Sequence, residues 1–340
     1  MASPYDLDRE ELAILLAGEP RYRVDQLFAA LWDEGVAVAA ATALPRALRE
    51  RLMTHLVPGL EVAADVSSDQ GATRRFVFRL HDGATIETVL MSYPDRVTVC
   101  VSTQAGCAMA CSFCATGQAG FSRHLTRGEI VEQVITAARA VAPLRVSNVV
   151  FMGMGEPLAN YDATVGAVRA LTEHRRMSAR NLTVSTVGVV PGIEKLAKEG
   201  LPLTLAVSLH SANDEDRTRL IPLNKRYPLA RLAQACAMWV DVTGRRLSFE
   251  WALIDGVNDR PRDVAELARY AYPLRAHVNL IPLNPTPGYA VLGSPAERVR
   301  EFRDELVARG VVATVRQTRG RSIDAACGQL ANVTRPLRRR

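Results

Sequence analysis

Cys107, Cys111 and Cys114 share one eight-residue stretch, Cys107-Ala-Met-Ala-Cys-Ser-Phe-Cys114, at spacing C-x3-C-x2-C. Thiolates this close together favour zinc, copper(I) or an iron–sulfur cluster. A structural zinc site closes with a fourth Cys or His. The nearest is His124, ten residues past Cys114, and the spacing around it fits no common zinc pattern. Three cysteines suit a 4Fe–4S cluster with one iron left open. An open iron can chelate a small molecule, which separates a catalytic cluster from an electron carrier. On spacing alone, zinc and a buried cysteine cluster stay open as readings.

Other stretches can hold such a small molecule. Gly153-Met-Gly-Glu-Pro157 follows an apolar run, and its glycines let backbone approach a ligand closely. Glu156, when ionised, is an acceptor alone and can take the ammonium of an amino-acid ligand; the bland reading is an ordinary turn. Ser185 ends one apolar run and Ser208-Leu209-His210 ends the next. Both serines can hydrogen-bond a ribose or a carboxylate, although serines at such places are commonly turn formers. Asn284, in Leu283-Asn284-Pro285, can read an adenine edge. Cys327 lies in the small-residue stretch Thr318–Leu330. A lone cysteine is most often a buried hydrophobe, but the neighbouring Arg319 and Arg321 fit an exposed, activated thiolate better. Cys236, on a predicted helix among apolar neighbours, reads as structural.

The cysteine loop, with Phe113 before its last cysteine, resembles that of the radical S-adenosylmethionine superfamily. The flanking text, Cys100-Val-Ser-Thr-Gln-Ala-Gly-Cys107 and Cys114-Ala-Thr-Gly-Gln118, resembles the RNA adenine methyltransferases that modify C2 of adenosine in 23S rRNA and tRNA. The resemblance runs from Tyr22 to Asn332. It implies a 4Fe–4S cluster on Cys107, Cys111 and Cys114, with S-adenosylmethionine as methyl donor and radical source. It implies ligand contacts from Gly155, Glu156, Ser185, Ser208, Leu209, His210 and Asn284. It makes Cys327 the methylated cysteine and Cys100 its resolving partner, through a transient disulfide. Glu87, in Ile86-Glu87-Thr88-Val89, becomes the proton acceptor. The implied product is 2-methyladenosine, in the peptidyl transferase centre of 23S rRNA and beside the tRNA anticodon. The implied electron donor is a flavodoxin or ferredoxin. Antibiotic-resistance relatives that methylate C8 of the same rRNA adenosine share the cysteine roles, but the text around Cys100 and Ile323-Asp324 leans to C2. A non-catalytic iron–sulfur or zinc module that binds RNA would leave Cys100 and Cys327 without a use.

The elements that position these residues fall into three zones. Residues 1–58 read as a helical accessory, RNA-binding domain. Val24, Leu27, Phe28, Leu31 and Trp32 recur at helical spacing over Tyr22–Trp32, and a second helix is expected over Leu44–Leu56 with Pro45 in its first turn. Arg21, Arg23, Arg46, Arg49 and Arg51 decorate it, as a solvated face or an RNA contact. Residues 59–96 read as a β-hairpin region: strands at Arg75–Leu80 and Thr85–Met91 flank a turn at His81-Asp82-Gly83. Residues 97–330 alternate strand and helix. Strands are expected at Val97–Val101, Asn148–Met152, Leu182–Thr186, Leu203–Ser208, Leu247–Leu253, Val278–Ile281 and Val311–Val315. Helices are expected at Thr126–Ala140, opened by a capping box, and at Tyr227–Val242, Arg262–Tyr270 and Pro295–Ala308. Short apolar runs such as Val149-Val150-Phe151 are typical of buried parallel strands. The fold class is therefore α/β, a partial barrel of six βα repeats with the last strand as an addition. Residues 331–340 read as a basic tail.

Composition sets outer bounds. The 340 residues are 48% hydrophobic, enough for one large core and a small accessory domain. A net charge of +6 allows a polyanionic partner without proving one. Six cysteines, three of them clustered, do not make a disulfide framework. No apolar run reaches the ~20 residues of a membrane span, and the acidic start predicts no secretory signal. A cytoplasmic enzyme is the expectation.

Overall fold

The computed structural model describes residues 3–284, 286, 291–317, 319–325 and 328–330. Three helices come first: α1 (Arg9–Leu15), α2 (Tyr22–Trp32) and α3 (Arg46–Met53). Asp8 and Glu11 close a capping box on α1. The α3 helix begins two residues after the expected Leu44, because Pro45 caps it from outside rather than sitting in its first turn, and it ends at Met53, short of Leu56. Trp32 packs edge-on against Tyr5, with ring centroids 5.1 Å apart, and against His174 at 4.7 Å. Ser3 donates to Glu132 at 2.7 Å, and the Gly128 amide donates to Asp6 at 2.6 Å. The first helices are thus fastened to the long helix that follows the cysteine loop.

The chain then enters a ten-stranded sheet. Its first strands are β1 (Leu60–Ser68), β2 (Thr73–Leu80), β3 (Thr85–Ser92) and β4 (Val97–Cys100), paired antiparallel in turn. The turn at His81-Asp82-Gly83 is as expected: Gly83 has φ 82°, and the Ala84 amide donates to Asp82 Oδ1 at 3.0 Å. Strand β1 was not expected, since most of its positions are solvent-facing and its sequence carries no clean alternation. A small hairpin, β5 (Gln104–Gly106) with β6 (Phe121–His124), brackets the cysteine loop and the short helix α4 (Ala115–Ala119).

From β4 onward the sheet is parallel. The order is α5 (Arg127–Ala140), β7 (Asn148–Phe151), α6 (Tyr161–Glu173), β8 (Leu182–Thr186), α7 (Val190–Leu196) and β9 (Thr204–Ser208). Then come α8 (Asp214–Leu220), α9 (Leu229–Thr243), β10 (Ser248–Leu253), α10 (Pro261–Ala271), β11 (His277–Pro282), α11 (Ala296–Ala308) and β12 (Val312–Val315). Strands β4, β7, β8, β9, β10, β11 and β12 lie side by side in that order, all parallel. They form six βα units with β12 as the added strand, and β1 and β12 are the two ends of the sheet order. Parallel strands need both faces covered, and Val149, Val184, Leu205, Phe249 and Val278 are fully buried.

Helix α5 fixes where β4 ends. Both halves of its capping box are present, Thr126 to the Glu129 amide and Glu129 to the Thr126 amide. One turn on, the buried Gln133 accepts from the Thr88 hydroxyl at 2.7 Å and the Ser102 amide at 2.8 Å, and donates to Ser102 O at 2.9 Å. Among the described residues no helix is long and apolar enough to cross a membrane.

Replacing Gln133 with Leu keeps the volume and strands these partners. A buried polar group left unpaired costs about 1–3 kcal/mol, so Gln133→Leu is expected to lower stability by about 3 kcal/mol. The urea midpoint checks this, and an unchanged midpoint would show that the clamp contributes nothing.

Candidate active site

The cysteine loop is shaped by close backbone contacts. The Cys107 amide donates to Gly120 O at 2.7 Å, and a Cβ on Gly106 would lie 2.0 Å from that same oxygen. Gly106, at φ 75°, is therefore the residue that lets β5 and β6 close at the mouth of the loop. The Ser112 amide donates to Leu220 O at 3.1 Å, so the loop rests on the end of α8. On the other side the Ala115 amide donates to Gly328 O at 2.9 Å, and the Thr116 hydroxyl donates to Leu330 O. These bonds hold residues 328–330 against the loop.

Cys107, Cys111 and Cys114 open on one cavity at the C-terminal ends of the parallel strands, where active residues of such folds gather. Burial pushes the Cys107 thiol up to about 12 and the Cys111 thiol well above its usual range. Alone, these thiols stay protonated; a polycationic group binding them as thiolates would offset that penalty. Among the described residues no three His, Cys, Asp or Glu side chains converge on a single metal position. His124, the nearest candidate for a fourth zinc ligand, is engaged at Nδ1 by Gln104 Nε2 at 3.0 Å. A 4Fe–4S cluster takes each thiolate on a different iron, so its ligands need a shared cavity rather than a shared point. The donor set fits the cluster.

The facing wall fits an amino-acid-bearing nucleoside. A Cβ on Gly155, at φ 100°, would lie 2.5 Å from Gln104 Cβ, so only glycine lets this loop lie against β5. Glu156 is buried in the cavity wall. Its carboxylate accepts from the Val187 amide at 2.8 Å and the Leu158 amide at 3.0 Å, and burial raises its pKa to about 7. Ser185, Ser208, His210 and Asn284 line the same cavity. The His210 ring accepts at Nδ1 from the Ala252 amide at 2.8 Å and meets the Phe113 ring edge-on at 4.6 Å. Burial, then the nearby Arg217, lower its pKa to about 3. His210 is thus neutral, with its proton on Nε2.

Leu209 does not line the cavity: its side chain is fully buried in the core, and its carbonyl accepts from Ser211 at 2.7 Å and Arg217 at 3.1 Å. Cys100, the last residue of β4, does line it, beside Val89, its partner across the β3–β4 ladder. Glu87 is on the same face of β3 as Val89 but outside the cavity wall. It is buried and paired with Arg75 at 3.1 Å. Cys327 lies outside the described residues; its neighbours Ala325 and Gly328 line the cavity. No disulfide joins any two described residues, so the disulfide expectation finds no support here, and its second member, Cys327, is not among them.

Sequence reasoning missed two groups in this wall. Glu250 is a buried carboxylate that accepts from Ser248 at 2.9 Å and Asn279 at 2.6 Å, and burial raises its pKa. Its signal was a lone Glu inside the apolar run Phe249–Leu253. At the rim, Tyr93 carries the Arg96 guanidinium 4.1 Å and the Arg319 guanidinium 4.3 Å from its ring centroid. Of the accessory-domain arginines, Arg23 donates to Gln26 and Ala43, Arg49 to Ala39, and Arg46 and Arg51 pair with Glu50 and Glu19.

The Radical SAM superfamily profile matches residues 101–268. A protein of Parafrankia sp. (strain EAN1pec), named a probable dual-specificity RNA methyltransferase RlmN, is 51% identical over 96% of this chain and 90% of its own length. The chain belongs to the RlmN family. As a family member it is a radical S-adenosylmethionine RNA methyltransferase, with a 4Fe–4S cluster and S-adenosylmethionine as cofactors. A crystal structure of a radical SAM methyltransferase from Sphaerobacter thermophilus is 50% identical, covers 98% of this chain and 100% of its own, and superposes with a TM-score of 0.95. Streptococcus suis SuiB, at 14% identity and a TM-score of 0.51 over 68% of this chain and 50% of its own, shares the fold alone.

Each loop cysteine is expected to be essential to the cluster. Cys111→Ala, reconstituted anaerobically with iron and sulfide, should lack both the brown absorbance and the iron of the parent. A fully loaded Cys111→Ala protein would remove this loop from the cluster site.

Proposed function

We propose that the enzyme forms 2-methyladenosine in 23S rRNA and tRNA through an S-methylcysteine on Cys327. The observation that carries the reading is the shared cavity: Cys100 opens on the same space as the three loop cysteines and both described neighbours of the Cys327 segment, Ala325 and Gly328. Adenine C2 is an electron-poor carbon that cannot attack a sulfonium, so direct polar methyl transfer fails. When bound, the cluster and S-adenosylmethionine supply the methyl group and a hydrogen-abstracting radical. The chain's residues do the rest. The Cys327 sulfur carries the methyl carbon to C2, which links the enzyme covalently to RNA. Glu87 takes the C2 proton, from a position two residues along β3 from the cavity wall at Val89. The Cys100 thiolate then attacks the Cys327 sulfur; the sulfur–carbon bond breaks with its electron pair on the methylene carbon, which takes up a proton to become the product methyl group, and a transient disulfide is left.

Glu156 receives the ammonium of S-adenosylmethionine, Asn284 the adenine, and Ser185 and Ser208 the polar groups between. Neutral His210 offers its Nε2 proton to the ligand. Tyr93, with its two flanking guanidiniums, gives RNA a stacking and phosphate-binding edge at the cavity mouth. The arginine-bearing helices of residues 1–58 extend that basic surface, and a flavodoxin or ferredoxin delivers the electron.

Two expectations follow. Cys100→Ala still carries the methyl group to RNA but cannot release it, so it should purify from cells with covalently attached RNA. Cys100→Ala/Cys327→Ala should purify free of RNA. Denaturing gels with and without ribonuclease read this, and an adduct equally present in the double variant would end the two-cysteine route. Mass-spectrometric mapping of the methyl group on rRNA and tRNA tests the position.

The second expectation is a pH dependence. Burial raises the Glu156 carboxyl to about 7, and an ammonium binds the carboxylate, not the acid. S-adenosylmethionine affinity should therefore fall as pH drops below about 7, while the ligand's own α-amino group stays charged to near ~8. Glu156→Gln should bind weakly and without that slope. Equilibrium dialysis across this range decides it, and a flat profile in the parent would detach Glu156 from the ligand.

A further inference from the structure

Arg217 is 1% exposed, and nothing in the methyl-transfer route uses it. It sits in α8, and its Nε donates to Leu209 O at 3.1 Å. Its Nη1 donates to Asn224 Oδ1 at 2.8 Å, and its Nη2 to Val187 O at 2.7 Å and Ser208 O at 3.3 Å. All of these acceptors are neutral, and among the described residues no carboxylate pairs with the guanidinium. Burial lowers the Arg217 pKa, yet a guanidinium keeps its proton in proteins. The fold therefore holds a positive charge in its interior without a direct counterion, an arrangement that opposes stability.

Its location gives the charge a use. Leu220, three residues along α8 from Arg217, accepts from the Ser112 amide at 3.1 Å. Leu220 and Ile221 form one apolar cluster with Cys111 and Phe113. Val187 and Ser208, whose carbonyls hold the guanidinium, line the cavity together with Cys111. The charge lies immediately behind the thiolate loop. Two carboxylates flank it without touching it. Glu156 accepts from the Val187 amide at 2.8 Å, while Arg217 holds the carbonyl of the same residue. Asp214 is reached through Asn224, whose Nδ2 donates to Asp214 Oδ1 at 2.9 Å, and Asp214 is exposed to water.

We propose that Arg217 is an electrostatic positioning residue that raises the reduction potential of the 4Fe–4S cluster on the Cys107–Cys114 loop. One-electron reduction adds a negative charge to a site that three thiolates already make anionic. The electron leaves an external low-potential donor, which is oxidised by one electron, and no proton need move. In a dry interior a fixed nearby cation biases that step more than it would in water. The inference needs the family's cluster and does not depend on the C2 chemistry.

The test is a redox titration of the full chain, reconstituted anaerobically, with dithionite as reductant and the electron paramagnetic resonance signal of the reduced cluster as readout. Arg217→Gln should lower the equilibrium constant for reduction about tenfold, 59 mV for a one-electron couple. Arg217→Lys keeps the charge and should keep the midpoint close to that of the parent. Because Arg217→Gln also removes hydrogen bonds, the exchange Asp214→Asn/Asn224→Asp separates charge from folding. It preserves net charge and the pairing between positions 214 and 224, but sets a carboxylate directly on the guanidinium. Its midpoint should fall in the same direction. If Arg217→Gln fails to load a cluster, the exchange decides. A parental midpoint in whichever of these two variants loads iron, even at reduced occupancy, would leave Arg217 a purely structural role and overturn the proposal.

Discussion

The hydrogen bonds around Ser102 hold the end of β4 in place, and the site is built outward from that point. Ser102 is fully buried, and its amide, carbonyl and hydroxyl are all engaged. Gln133 of α5 takes the first two, while the hydroxyl donates to Glu87 O at 2.6 Å and accepts from the Met154 amide at 2.9 Å. One small residue thus ties β3, α5 and the loop after β7. The next residues continue the contact: the Thr103 amide donates to Met154 O at 2.8 Å, and Gln104 Oε1 accepts from the Glu156 amide at 2.9 Å. The cysteine loop and the loop carrying Glu156 are therefore one packed unit. Such networks are high-stakes, because each interior polar group that loses its partner is penalised in full.

The floor of the site concentrates charge that a simple core would exclude. Glu156 and Glu250 are buried carboxylates, Arg217 is a buried guanidinium, and Cys107 and Cys111 are thiols that burial keeps protonated. Two of these charges, Glu156 and Arg217, are held by neutral donors or acceptors rather than by a directly opposed ion. Glu156 uses backbone amides and Arg217 mostly backbone carbonyls. This arrangement keeps the charges aimed at the cavity, whose cofactors bring the complementary groups. Direct ion pairs would have quenched the same charges within the protein.

Local grammar made much of this legible. The capping box at Thr126 and Glu129, the turn at Asp82-Gly83 and the short apolar strands have their causes within a few residues, and all stand as read. The cysteine loop and the strand-end positions of Glu156, Ser185, Ser208 and Asn284 were legible as spacing and as family text, and they meet in one cavity. What escaped was set by distant partners. Gln133 reads as a polar break in an apolar helix until Ser102, 31 residues away, is beside it, and Ser3 reaches Glu132 across 129 residues. Arg217 sits in the charged text Asp214-Glu-Asp-Arg-Thr-Arg219, which looks like a solvated face. Nothing local marks it as the buried member. Strand β1 escaped because an exposed edge strand needs no apolar alternation.

Strand β4 explains why Cys100 and Val89 meet at all. It is the seam of the sheet, antiparallel to β3 on one side and parallel to β7 on the other. In a parallel βα unit the neighbouring strand ends point the same way, so the cavity rim is made of loops. An antiparallel neighbour instead runs past the rim with its side chains alternating along the wall. Val89, Met91 and Tyr93, every second residue from β3 onward, line the cavity in that way. Cys100 is opposite Val89 in register, so the last residue of a parallel strand faces a wall that a pure barrel could not supply. A slip of one residue in this ladder would turn Cys100 and Val89 to opposite faces of the sheet. The antiparallel pairing of β3 with β4, and of β2 with β3 behind it, therefore sets the position of the thiol beside the cluster loop as firmly as the barrel itself does.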